Sequence, residues 1–211
     1  MFFIKKLIYY YSSFSGKAGR VEFSFYFLLE IIANLFAIYL FANFSLDDAG
    51  YWQAVSRISD YYLAFITTVL GIYYLPRLSE IKNKVELRAE VLKGYSVVLP
   101  VVGALALAIW LLKDLIIHVL FTPAFLPMKP LFTYQLLGDF FKIGSWLLAY
   151  LMLAKALVKR YIITEIVFAV SYVILSYYFI DLYGVVGATY SFCLNYGLYW
   201  IAMVFLIKRE L

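Results

Sequence analysis

Long apolar runs that carry no charge decide what this chain can fold into. Gly94–Leu112 and Leu182–Ile207 contain no Asp, Glu, Lys or Arg. A helix of about 20 such residues crosses the hydrocarbon of a bilayer. In that solvent only a helix or a closed barrel satisfies its own backbone. Composition agrees: the chain is 65% hydrophobic and 15% charged, against about 45–50% and about 25% in soluble domains. We therefore expect an all-α membrane protein with six transmembrane helices, at roughly 23–43, 52–75, 94–112, 131–153, 161–180 and 185–207. Residues 1–22 are expected to be a cytoplasmic N-terminal segment, 23–207 a six-helix lobe and 208–211 a cytoplasmic tail.

The segments between the spans set the orientation. Fourteen of the 18 Lys and Arg fall in one set: Lys5, Lys6, Lys17, Arg20, Arg77, Lys82, Lys84, Arg88, Lys93, Lys155, Lys159, Arg160, Lys208 and Arg209. The alternate set holds Lys113 and Lys129, together with the acids Asp47, Asp48, Asp114 and Asp181. Cytoplasmic loops collect the positive charge, so both termini are expected inside, in a multi-pass protein of the bacterial inner membrane. Tyr51 and Trp52 at one end of the second span and Tyr73 and Tyr74 at the other read as headgroup-level aromatics or as packing residues. Arg77–Lys93 is polar and helix-prone, and is expected to lie as a separate surface helix. Pro123, Pro127 and Pro130 break the segment that follows LIIHVLF. Gly184, Gly187 and Gly197 are expected to permit a turn and close helix approach.

Several functions are excluded by what the sequence contains. The net charge of +5 is spread in short clusters between apolar runs, which argues against nucleic acid. One cysteine, Cys193, forms no intramolecular disulfide, and one histidine, His118, is expected at the surface. No metal-ligand cluster, phosphate loop or nucleophile elbow is present, so neither a metal, a cofactor nor an enzymatic activity is expected. Met1–Tyr11 has no cleavage pattern of a signal peptide after it.

The informative residues are ionisable groups inside the spans, each unfavourable there unless it meets protein, water or a partner. They are Glu30, Arg57, Asp60, Asp139 and Lys142. At about 1.5 Å per residue, Arg57 lies about 8 Å and Asp60 about 12 Å into the second span, Asp139 about 12 Å and Lys142 about 16 Å into the fourth. Both pairs are spaced i, i+3 and so share a helix face. Two readings stand together. Asp60 and Asp139 can neutralise Arg57 and hold the helices, or the charges line a wet cavity. In a cavity, Arg57 offers a planar fork to phosphate oxygens and Lys142 adds a point charge. Glu30 is a candidate coupling acid or a neutral bundle carboxyl. Glu165, near the inner edge, is expected to snorkel.

At Ala49–Ile81 the chain reads AGYWQAVSRISDYYLAFITTVLGIYYLPRLSEI. Trp52, Gln53, Val55, Ser56, Ile58, Ser59, Asp60, Phe65, Ile66, Thr67, Leu75, Pro76, Leu78 and Ser79 resemble the pattern of the Wzx-type polysaccharide flippases, in particular the branch serving enterobacterial common antigen. WLLKDLIIHVLF, FTYQLLGDFFKIG and YLMLAKALVKRYIITEI extend the likeness over most of residues 45–211. The resemblance implies a MATE-like exporter with two lobes around a central cavity, moving undecaprenyl-pyrophosphate-linked oligosaccharide across the membrane. It implies that cavity Lys and Arg engage the pyrophosphate. Such transporters have about twelve spans built from repeats. This chain matches the second lobe, so an N-terminal six-helix lobe or a second copy is expected as its partner. An O-antigen repeat-unit flippase and a truncated remnant without independent transport are the alternatives. A polymerase or ligase acting on the same lipid carrier is disfavoured, because the longest outer loop is mostly apolar.

Overall fold

The computed structural model describes residues 45–208 and Glu210. The first expected span, 23–43, and Glu30 lie outside the described residues. Ser45 starts α1 (Leu46–Val69): its Oγ accepts from the Asp48 backbone N–H at 3.1 Å, with Asp47 and Asp48 in the first turn, where the helix dipole favours anions. Leu70–Tyr74 widens into a π-turn before α2 (Leu75–Glu80). Pro76 has no N–H to donate and its ring crowds the carbonyl of the preceding turn, and a π-turn relieves such crowding without ending the helix.

Ile81 is extended, and the Asn83 side chain accepts from the Val85 N–H at 2.9 Å to cap α3 (Lys84–Leu120). This corrects the expected surface helix over 77–93. Its first part is α2, and from Lys84 onward it is the start of a single helix of 37 residues. At about 1.5 Å per residue that is about 55 Å, well beyond the hydrocarbon, so a charged first section projects past the apolar one. A 3-10 turn (Pro123–Met128) then leads into α4 (Lys129–Ala154), followed by α5 (Val158–Tyr183) and α6 (Val186–Ile207).

Five helical stretches among the described residues are long and apolar enough to cross a membrane. α4 is the most enclosed of them, with Leu131, Phe132, Ile143, Leu147 and Met152 all fully buried. It runs parallel to α1, as Tyr51 Oη to Ala124 O (2.9 Å) and Tyr150 Oη to Thr67 O (3.5 Å) show. It runs antiparallel to α3, where Trp110 Nε1 donates to Thr133 Oγ1 and Tyr95 Oη to Gly144 O. α5 and α6 form an antiparallel hairpin closed by Ser176 and Ser191 (2.8 Å) and by the Arg160–Glu210 ion pair (2.8 Å). Successive long helices therefore alternate in direction, as successive crossings require. Large apolar side chains stand exposed on α3 (Val97, Leu107, Leu111, Leu115) and α5 (Val167, Val170, Ile174). An aqueous protein rarely leaves such faces open, whereas lipid solvates them. Of the two tyrosines expected at one end of the second span, Tyr73 is exposed, whereas Tyr74 is buried against Gly94.

The helix approaches depend on missing side chains. Gly184 ends α5 with φ +63, a conformation open to glycine. A Cβ on Gly187 would fall 2.0 Å from the Phe179 carbonyl oxygen, which explains the tight hairpin. Gly197 needs no such allowance, since its nearest neighbour in Phe141 lies at an ordinary 3.4 Å. The closer approaches are at Gly138, under the Phe192 ring, and Gly144, under the Trp200 indole.

Candidate functional site

Counting residues placed Asp60 and Asp139 at one height, and the bonds between α1 and α4 give that register. Tyr62, two residues beyond Asp60, donates its hydroxyl to Asp139 Oδ2 at 2.8 Å. Asp139 is fully buried, and Gln135 Nε2, one turn back on α4, approaches its other oxygen at 3.5 Å. The Ser59 hydroxyl, also buried, lies beside this carboxyl without reaching hydrogen-bonding geometry. The partners of Asp139 are thus a phenol and an amide. Among the described residues neither Asp139 nor Asp60 forms an ion pair with Arg57.

Arg57 and Asp60 are exposed. They belong to a stripe of exposed residues on α1: Arg57, Asp60, Tyr61, Ala64, Phe65 and Thr68. That spacing marks one face of a helix. Nothing among the described residues covers this face. A guanidinium and a carboxylate within a span are unfavourable toward lipid.

Lys142, one turn beyond Asp139 on α4, is half-buried and points between α4 and α6. Its Nζ stands 5.1 Å from the Trp146 ring, 5.6 Å from Tyr196 and 5.7 Å from Phe192. These distances are within cation–π range. No carboxylate oxygen among the described residues reaches ion-pair distance of it, although Asp139 and Glu165 lie within electrostatic reach.

Glu165 corrects the expectation that it snorkels to the membrane edge. Its Oε1 accepts a hydrogen bond from Tyr199 of α6, so the carboxyl turns into the bundle. Tyr196, one turn before Tyr199, lies within electrostatic reach of Asp60, Asp139 and Glu165. The structure therefore gathers Asp139, Lys142 and Glu165 around α4 and α6, and leaves Arg57 and Asp60 on the open face of α1, with Asp60 within electrostatic reach of Asp139. Tyr62, Gln135, Trp146, Phe192, Tyr196 and Tyr199 were not singled out by sequence reasoning, which named Glu165 only as a snorkelling residue. Among the described residues no cluster of His, Cys, Asp and Glu is placed to hold a metal. His118 is exposed, its Nδ1 2.7 Å from the Asp114 carbonyl on its own helix.

The arrangement leaves two cations without an ion pair among the described residues, one on an open helix face and one inside an aromatic enclosure. Comparison with known proteins gives this chemistry a context. The chain is 38% identical over 173 residues to the protein described as "Lipid III flippase" in Escherichia coli (strain K12). It matches a protein of the same description in Shigella flexneri equally well. The matched stretch is 81% of this chain and 42% of each relative, so the chain spans less than half the length of the curated relatives it matches. No family model matches, and no solved structure does.

Proposed function

Because this chain is homologous to less than half of a Wzx-type lipid III flippase, we propose that it is one lobe of a transporter. Its cargo is undecaprenyl-pyrophosphate-linked oligosaccharide, the lipid III of enterobacterial common antigen, and it corresponds to the C-terminal lobe. The single observation that carries this reading is the 38% identity over 173 residues. The placement of charge supports it: a spanning helix with Arg57 and Asp60 on an uncovered face makes sense as one wall of a cavity that a second lobe completes.

In this reading Arg57 and Lys142 engage the pyrophosphate. Guanidinium gives paired hydrogen bonds to its oxygens and ammonium gives a charge contact. Asp139 and Glu165, each held by a tyrosine hydroxyl, keep the surrounding helices in register. The partner is an N-terminal six-helix lobe or a second copy of the chain. Both termini face the cytoplasm, following the bias of Lys and Arg among the loops.

Complementation tests the proposal. The chain is expressed in a strain lacking its lipid III flippase, alone and with a matching N-terminal lobe, and surface common antigen is assayed. Rescue with the lobe is expected. Rescue by the chain alone identifies a second copy as the partner. Failure in both arms, with the chain present in the membrane, rejects lipid III as cargo and leaves an O-antigen repeat unit or an inactive remnant.

A further inference from the structure

Lys142 sits three residues after Asp139 on α4, a spacing at which a lysine and an aspartate on one helix readily pair. Glu165 is a second acid within electrostatic reach. Yet both carboxyls are occupied by other donors: Asp139 takes the hydroxyl of Tyr62 and Glu165 that of Tyr199. The ammonium lies instead among the rings of Trp146, Phe192 and Tyr196. Ring faces are negative and attract a cation, the more so where water is scarce. Unlike a carboxylate, a ring face leaves the formal charge uncancelled.

We infer that Trp146, Phe192 and Tyr196 are positioning residues that hold the Lys142 ammonium out of direct ion pairing, available to a phosphate-bearing ligand. The inference rests on the reading of Lys142 as an anion contact. Two helices supply the enclosure: Trp146 comes from α4, one turn beyond Lys142, and Phe192 and Tyr196 are a turn apart on α6. Their spacing is set by Gly138, which lets the Phe192 ring close onto α4. The tyrosines at Asp139 and Glu165 complete the device by giving each acid a neutral donor in place of the lysine. At contact distance a phosphate oxygen then displaces π faces and not an ion-paired carboxylate, and a full negative charge attracts an ammonium more strongly than a ring quadrupole.

The test reads the enclosure directly and the transport separately. The full chain, with lysines labelled with ¹³C at Cε, is reconstituted in detergent micelles, and the Lys142 signal is assigned by its loss in Lys142→Arg. Ring currents should place that signal upfield of the exposed lysines. Trp146→Leu combined with Tyr196→Leu should return it toward them, while Tyr196→Phe, which keeps the ring, should leave it upfield. Added inorganic pyrophosphate should move the Lys142 signal in the wild type. In complementation with the second lobe, the double leucine variant should lose at least tenfold in surface antigen at equal membrane abundance, and Tyr196→Phe should retain activity. A wild-type signal already among the exposed lysines overturns the inference, as does a shift lost without loss of transport. If Lys142→Ala transports normally while the upfield shift is present, the enclosure stands and it is the anion-contact reading that fails, taking the positioning role with it.

Discussion

The Tyr62 hydroxyl bonds Asp139 Oδ2 at 2.8 Å across the boundary between α1 and α4, and it ties a fully buried carboxyl to a neighbouring helix. Removing the donor leaves that carboxyl short of a partner in a site water does not reach. Tyr62→Phe, which keeps the ring, should therefore destabilise the protein by about 1–3 kcal/mol. The loss should appear as a lower midpoint of thermal unfolding in detergent. In a double-mutant cycle with Asp139→Asn, the combined loss should be smaller than the sum of the single losses. Strict additivity would show that the two groups do not interact.

Gly138 and Gly187 fail differently when given a side chain. A Cβ at Gly138 meets the Phe192 ring at 2.4 Å, whereas a Cβ at Gly187 meets backbone, the Phe179 carbonyl oxygen at 2.0 Å. Gly138→Ala should cost about 1–3 kcal/mol as an overpacked contact, and Phe192→Ala should restore part of it by giving way. Gly187→Ala has no side chain to trim, so truncating Phe179 should restore nothing. Membrane abundance and unfolding midpoints of the four variants check both statements.

Five of the six expected spans, those among the described residues, were legible because bilayer solvation imposes a length and a composition that survive in the sequence. The common height of Asp60 and Asp139 followed from helix rise alone. The pairing of those charges was not legible. A reading that looks for opposite charges joins Arg57 to the acids, but a chain with 21 Tyr has many neutral donors, and which of them faces a carboxyl depends on how the helices pack. Tyr62 and Tyr199 took those places. Glu165 was within reach of a finer reading: folding the α5–α6 hairpin about Gly184 brings it within about one turn of Tyr199. The charged section before Gly94 looked like a separate helix because its composition changes there. The backbone continues regardless, since nothing between Lys84 and Gly94 breaks a helix. Gly138 and Gly144 were unreadable as contact points, because each matters only through a ring on another helix.

Lys155 closes the end of α2 from a distance. Its Nζ donates to the Leu78 carbonyl at 2.9 Å and to the Ile81 carbonyl, which belong to the last turn of that helix and the residue after it. Terminal carbonyls lack partners within their own helix, and a lysine there also complements the dipole. Lys155→Met keeps the length of the side chain and removes the donors. It should speed amide hydrogen exchange across 78–85, while exchange in α6 stays as it was. Unchanged exchange around Ile81 would mean that water replaces the lysine without penalty.

Arg57 separates the structural account of the intramembrane charges from the functional one. It is exposed on α1 and forms no ion pair among the described residues. Truncating it leaves no buried acid unpaired, and surface changes of this kind usually fall within about 0.5 kcal/mol. Arg57→Ala should therefore reach the membrane at wild-type abundance with an unchanged unfolding midpoint. If the guanidinium holds a pyrophosphate, the same variant should abolish surface antigen in complementation with the second lobe. Arg57→Lys should restore only part of it, since an ammonium keeps the charge without the paired donors. Abundance and transport falling together would return Arg57 to the role of a helix-packing charge, whereas loss of transport alone makes it a contact to the cargo.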